Sequence, residues 1–338
     1  MGGVSLRSER DLAPRARHLR AAMWLAGMVQ SITVSADSLR AEPLAIRNLS
    51  PVGILYGLPR PMGGHVLRSG ATHRFTAEIV SNFTSAVARS EAAYFDGETS
   101  VWSYRHRRAV GAGWEAGLDV PYVVHNGGFL DGFIDGWHAA FGLPDAGRYD
   151  VPTDQLNLTV QADGSTLVRV DRPTDGIGDV TLFAGRRLSG AANSELALRA
   201  LAKVPTGELG RLSGSGAADY AAWLDYSVNP RGLATSIAVG LARLGDGDMA
   251  RQRRYVAVGH FGLSGSYRGL TLIGQLDYHG RLLDGSLDEL GGANLQGTLG
   301  GRLDIGSSFV LELGIVEDLL GAGTSDVVVH MSLKGRLD

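Results

Sequence analysis

The feature that most narrows the fold is an alternation of apolar and polar side chains with a period of two, recurring from about residue 70 to the end. Strict alternation marks an extended strand whose two faces meet different surroundings. Leu270, Leu272, Gly274, Leu276 and Tyr278 alternate with Thr271, Ile273, Gln275, Asp277 and His279. The same division separates Leu196, Leu198, Ala200, Ala202 and Val204 from Glu195, Ala197, Arg199, Leu201 and Lys203. Val327, Val329, Met331 and Leu333 stand apart from Asp326, His330, Ser332 and Lys334 in the same way. One face is aliphatic and the other carries charge. Glu115, Asp119, Glu195, Arg199 and Lys203 would be strongly destabilising in the dry core of a β-sandwich. They suit a wet lumen, with the aliphatic face turned to lipid. The chain therefore reads as all-β, a transmembrane antiparallel up-and-down β-barrel.

Strands are expected at 72–85, 97–108, 111–122, 178–188, 194–205, 217–228, 233–243, 252–263, 268–280, 294–303, 306–316 and 326–336. Each of these about twelve segments reaches the roughly 9–11 residues that a tilted strand needs to cross a bilayer. The connections alternate long and short, as external loops and periplasmic turns do. Asn229-Pro230-Arg231-Gly232 and Ser264-Gly265-Ser266 read as turns. The longest connection, the external loop 123–177, has its own pattern. Phe129, Phe133, Trp137 and Phe141 recur every fourth residue, which predicts a short helix with an aromatic stripe. Gln155–Ala162 and Ser165–Val170 predict a hairpin projecting from the loop; joined to the wall, it would raise the strand count to about fourteen.

Composition agrees with this reading and removes alternatives. A mean hydropathy of +0.02 is the average of a lipid-facing and a water-facing half. The aliphatic content excludes a disordered chain, and a net charge of −3 excludes a nucleic-acid binder that works by neutralising phosphates. With no cysteine there is no disulfide, thiolate metal site or thiol nucleophile. Arg15, Arg17, His18 and Arg20 precede the apolar stretch Ala21–Val34 and the small residues Ser35 and Ala36. That order predicts a signal peptide over 1–36. Residues 37–71 then form an N-terminal periplasmic or plug-like segment ahead of the barrel, 72–338.

Three stretches carry a family resemblance. They are Pro43–Asn48 with Leu55–Pro59, the block His125–Arg148, and Asp171–Pro173 running on to Gly176–Val180. Together they resemble the family known as domain of unknown function 3187, predicted outer-membrane proteins of Gram-negative bacteria. The resemblance implies a barrel in the cell outer membrane and brings no catalytic residues with it.

The functional candidates follow from facing. Glu78, Glu115, Asp119, Glu195, Arg199, Lys203, Asp277 and Arg302 are predicted to line the lumen. Their mixed signs suit small polar solutes better than strongly charged ones, so a channel or pore is expected. His125, Asp131, Asp135, Trp137 and His138 are the external-loop candidates, for a structural or ligand-binding protein acting through loop 123–177. The spacing of Asp131, Asp135 and His138 permits a metal cluster, but a solvated helix face is the simpler reading, and no metal or cofactor is expected. No Gly-x-Ser-x-Gly elbow occurs, so no enzyme activity is expected; a lipid-modifying barrel enzyme is the least favoured of the three readings. The expected partners are outer-membrane lipid, lipopolysaccharide and the barrel-assembly machinery.

Overall fold

The computed structural model describes residues 42–337 except 129, 131, 133–135, 137–153, 192, 230–232, 250, 306–308 and 322–326. The predicted signal peptide lies outside the described residues. So do the aromatic stripe of the predicted loop helix and Asp131, Asp135, Trp137 and His138.

Fifteen strands follow in chain order: β1 (Ala71–Ala88), β2 (Glu91–Gly111), β3 (Trp114–Asn126), β4 (Asn157–Ala162), β5 (Ser165–Val170), β6 (Thr174–Ile177), β7 (Val180–Ala191), β8 (Ser194–Val204), β9 (Asp219–Val228), β10 (Leu233–Arg243), β11 (Tyr255–Tyr267), β12 (Leu270–His279), β13 (Asn294–Ile305), β14 (Phe309–Leu320) and β15 (Val327–Leu337). Twelve of them, β1–β3 and β7–β15, close into an antiparallel ring, because β15 pairs back onto β1 from Ala71↔Leu337 to Ser81↔Val327. Closure removes every sheet edge from the ring, which a bilayer requires because lipid offers no hydrogen bonds.

The alternation is realised as two environments. The ring strands turn large apolar side chains outward, among them Phe75, Trp102, Leu198, Ile237, Phe261 and Leu313, each more than 40% exposed. Their neighbours along the chain point inward and are buried, as with Arg199 beside Leu198. An exposed apolar surface of this extent on a closed ring fits contact with lipid and not with water.

The structure differs from the expected strand ends in three places. The loop expected at 86–96 shrinks to Arg89–Ser90, because Ala86↔Ala93 and Ala88↔Glu91 extend the β1–β2 ladder. Ser264, Gly265 and Ser266 lie inside β11; the turn is Arg268–Gly269, with φ of 51° and 83°. Positive φ at both residues gives the turn whose twist matches a hairpin. The predicted hairpin exists as β4–β5, but it pairs only with the raised end of β2, from Glu91↔Ala162 to Asp96↔Asn157. It lies outside the ring, so the ring count stays at twelve. β6 pairs with the upper end of β3 and continues the line of β7 after a break at Gly178–Asp179.

Long connections collect at the end opposite the hairpin turns. There, an apolar cluster roofs the barrel. Phe95, Leu158, Val160 and Val168 from the β1–β2 and β4–β5 hairpins meet Leu212, Leu244, Leu282 and Leu290 from the loops.

Candidate functional site

The interior is occupied by the chain's own residues 42–67. Four prolines, Pro43, Pro51, Pro59 and Pro61, interrupt this segment. Proline lacks a ladder donor, so the segment cannot add to the sheet. It forms a single 3-10 turn, Gly53–Leu55, and otherwise runs irregularly. It rises from the end of the barrel with the short turns, reverses beneath the roof, and descends to enter β1. Val52, Leu55 and Tyr56 at the reversal belong to the roof cluster. A ring of about twelve strands has more bore than its own side chains fill, and less than the open channel of a porin with roughly 16–18. One chain segment fits the difference.

Wall side chains satisfy the plug's backbone. On the rising arm, Leu44 N–H donates to Gln275 Oε1 (2.9 Å), and Asn48 Nδ2 meets His279 Nε2 (2.8 Å). At the reversal, Lys203 Nζ donates to Leu55 O (2.8 Å), and Gly57 N–H donates to Asp219 Oδ2 (2.8 Å). Burial, with the charge of Asp219 second, raises the Tyr56 hydroxyl above its ordinary pKa and keeps it neutral. On the descending arm, Arg199 Nη2 donates to Gly63 O (3.0 Å) and His65 O (2.7 Å), Gly64 N–H to Ser227 Oγ (2.8 Å), and Leu67 N–H to Glu115 Oε2 (2.8 Å). Gly64 passes so close that a Cβ there would lie 2.1 Å from Glu195 O.

Charge fixes the plug's register at two levels. Its acid, Glu42, sits among wall cations near the short-turn end. Arg107 Nη1 is 2.6 Å away and Arg74 3.8 Å, Lys334 pairs with it directly, and Arg302 donates to its carbonyl (2.9 Å). Its two arginines, 47 and 60, sit among wall acids nearer the middle. Arg47 Nε is 3.1 Å from Glu78, and Arg60 Nη2 is 2.6 Å from Asp119. An acid paired with wall cations at one level and two bases paired with wall acids at another make the shifted or inverted plug electrostatically unfavourable.

The sequence candidates fall within this arrangement. Glu78, Glu115, Asp119, Arg199 and Lys203 are buried on the inner face. Glu115 pairs with Arg107 (2.9 Å) and Arg199; Arg199 also reaches Asp225 (2.8 Å), and Lys203 reaches Asp179 (2.6 Å). Glu195 holds His65 (2.7 Å) of the plug and Arg68 (3.0 Å) just after it, Arg302 pairs with Glu312 (2.7 Å), and Asp277 bonds His260 (2.8 Å). His125 is a wall residue, since the valine-rich end of β3 keeps pairing with β2 as far as Glu98↔Asn126. It is buried between Thr99 Oγ1 (2.9 Å) and Leu212 O (3.3 Å). Sequence reasoning missed Glu42, Arg47 and Arg60, which are the plug's own half of the contacts. Their signal was present as three charges in an otherwise apolar, proline-rich stretch. No group of metal-ligating side chains occurs among the described residues.

A cavity of about 100 Å³ remains between the plug and the wall. Its lining is mixed: Ile46, Met62, Phe183 and Trp223 contribute apolar surface, and Asp119, Lys203, Asp277 and Gln296 polar groups.

A closed twelve-strand ring, apolar outside, charged inside and plugged by its own N-terminal segment, defines an outer-membrane β-barrel. Residues 23–337 match the family model described as protein of unknown function (DUF3187), and the chain belongs to that family. No curated protein matches it in sequence. Among solved structures, the COG4313 outer membrane channel from Pseudomonas putida F1 aligns with a TM-score of 0.54 at 13% identity, over 83% of this chain and 100% of that one. The NanC porin aligns with 0.44 at 8% identity, over 79% and 100%. The P. putida toluene transporter TodX aligns with 0.41 at 12% identity, over 80% and 91%. The first similarity supports the barrel fold independently of the strand pattern.

Proposed function

We propose that this protein is a gated outer-membrane channel for small polar solutes, held closed by residues 42–67. The observation that carries this reading is the way the plug is attached. It is fixed to the lumen by side-chain contacts and joins no strand, so it is able to leave without unpairing the wall. Both signs of charge line the space it would vacate, which suits polar or weakly charged solutes. The likeness to the COG4313 outer membrane channel agrees with the reading.

The latch at Glu42 provides the test. Full-length protein, refolded and checked by heat-modifiable gel mobility, is placed in planar bilayers. The wild type is expected to stay mostly closed. Glu42→Ala removes the acid but leaves Arg74, Arg107, Arg302 and Lys334, so it is expected to conduct more and to prefer anions. Liposome swelling with small neutral sugars then reports solute passage. Folded barrels of both proteins that neither conduct nor swell would overturn the channel reading.

A further inference from the structure

The wall carries a second constellation that the channel reading does not use. Ser236, His260 and Asp277 sit on the adjacent strands β10, β11 and β12, all on the inner face. His260 is the register partner of Asp277 on one side and of Ala238 on the other, two residues along β10 from Ser236. Ser236 Oγ lies 2.9 Å from His260 Nε2, and His260 Nδ1 lies 2.8 Å from Asp277 Oδ1. We propose that these three residues form a serine-nucleophile centre able to cleave small uncharged esters inside the lumen.

The hydrogen-bond chain determines where the protons sit. Leu44 N–H donates to Gln275 Oε1, so the other end of that amide, Nε2, is the donor toward Asp277 Oδ2 (2.8 Å). Asp277 is therefore an acceptor on both oxygens, and His260 Nδ1 must carry a hydrogen. In the neutral ring, Nε2 is then left as the acceptor for the Ser236 hydroxyl. This is the tautomer in which a histidine withdraws a serine proton, with the carboxylate holding the ring. The other buried histidines differ. His125 has Thr99 and a carbonyl but no carboxylate, and His279 has Asn48 and a carbonyl. His330 has Glu78 on Nδ1 at 3.2 Å but no partner on Nε2. Among the described residues, His260 is the one with a hydroxyl on one nitrogen and an aspartate on the other.

The surroundings select the substrate class. Ala238 packs with Met62, Phe183 and Trp223 in an apolar cluster, and both Ala238 and Asp277 line the cavity of about 100 Å³. This apolar cluster, two residues along β10 from Ser236, suits a short hydrocarbon acyl group, within a cavity whose lining is otherwise mixed. In the reaction, Ser236 Oγ bonds to the ester carbonyl carbon as its proton passes to His260 Nε2. The bond from carbon to the alcohol oxygen breaks, and that oxygen takes the proton from Nε2. Water then attacks the acyl-serine by the same relay, releasing the acid and restoring Ser236. Ser236 is only 4% exposed on the inner face of the plugged barrel, so loosening the plug speeds access.

The test uses folded full-length protein, treated with a small alkyl fluorophosphonate and, separately, with p-nitrophenyl butyrate. Mass spectrometry is expected to place the phosphonyl adduct on Ser236, with slow ester turnover. Both signals are expected to vanish in Ser236→Ala and His260→Gln. Asp277→Asn is expected to slow labelling by up to about 10⁴-fold, because the ring adopts the wrong tautomer. Asp119→Ala, which releases an anchor of the plug, is expected to accelerate labelling. Heat-modifiable mobility verifies that each variant has formed its barrel. The proposal fails if Ser236 reacts no faster than Ser264 in both the wild type and Asp119→Ala, or if labelling persists in His260→Gln. A barrel that conducts but never labels would sink this proposal and leave the channel standing.

Discussion

The ring strands and the plug lie at the same depth, and their backbones are satisfied in opposite ways. Residues Leu233–Arg243 of β10 pair with β11 without a break, and Thr235–Arg243 pair with β9 on the other edge. Backbone pairing of this kind is indifferent to side-chain identity and closes around the whole ring. The plug has no such ladder. Its amides and carbonyls at Leu44, Leu55, Gly57, Gly63 and Gly64 are met by single wall side chains. The wall is thus held by one cooperative network, and the plug by separable contacts that single substitutions remove one at a time. The comparison predicts that each region can be damaged without the other.

Asp119→Ala should have the largest effect. Asp119 faces Arg60 at 2.6 Å, Arg105 at 2.8 Å and Arg47 at 3.6 Å. Removing one member of a buried ion pair costs about 3–5 kcal/mol, since the remaining charge stays desolvated. The barrel should still form, while trypsin gains access to the bond after Arg47. A variant as protected as wild type would mean that the apolar roof, and not charge, retains the plug.

Leu276→Arg tests the reverse. Leu276 is 38% exposed on the outer face near the middle of β12. An arginine facing lipid near the midplane costs a barrel about 2–4 kcal/mol. The denaturant midpoint of the refolded barrel should fall, and trypsin should still fail to cut after Arg47 until the barrel itself unfolds. Plug release ahead of barrel unfolding would show that the two regions are not independent.

The sequence made the wall legible because lipid and lumen impose opposite demands on neighbouring residues. Leu198 and Arg199 can be assigned to opposite faces without any knowledge of their partners. Strand ends were less legible. Nothing in Ala86–Ala93 announces that the hairpin continues above the ring, where β4–β5 supports it. The plug was legible only as an N-terminal segment of periplasmic or plug-like kind. Its contacts, such as Leu44 with Gln275, span 231 residues, and irregular backbone has no period from which to infer a facing. His260 was ambiguous for a related reason. Gly259, Gly262 and Gly265 place hydrogen on both faces of β11, which blurs the alternation; only its register with Asp277 shows that it points inward.

The smallest effect is expected in the external loops, where it tests what makes the plug contacts strong. Arg253 Nε and Asp284 Oδ1 are 2.5 Å apart, no farther than Arg60 and Asp119. Their side chains are 44% and 60% exposed, against 12% and 2% for the lumen pair. Hydrated pairs are worth about 0.2–1 kcal/mol, because water replaces the lost partner. Asp284→Ala should therefore leave both the denaturant midpoint and trypsin resistance close to wild type. If it loosened the plug as much as Asp119→Ala, proximity would matter more than dehydration. The plug would then be held no differently from the surface loops, and a gate built from desolvated charge would lose its physical basis.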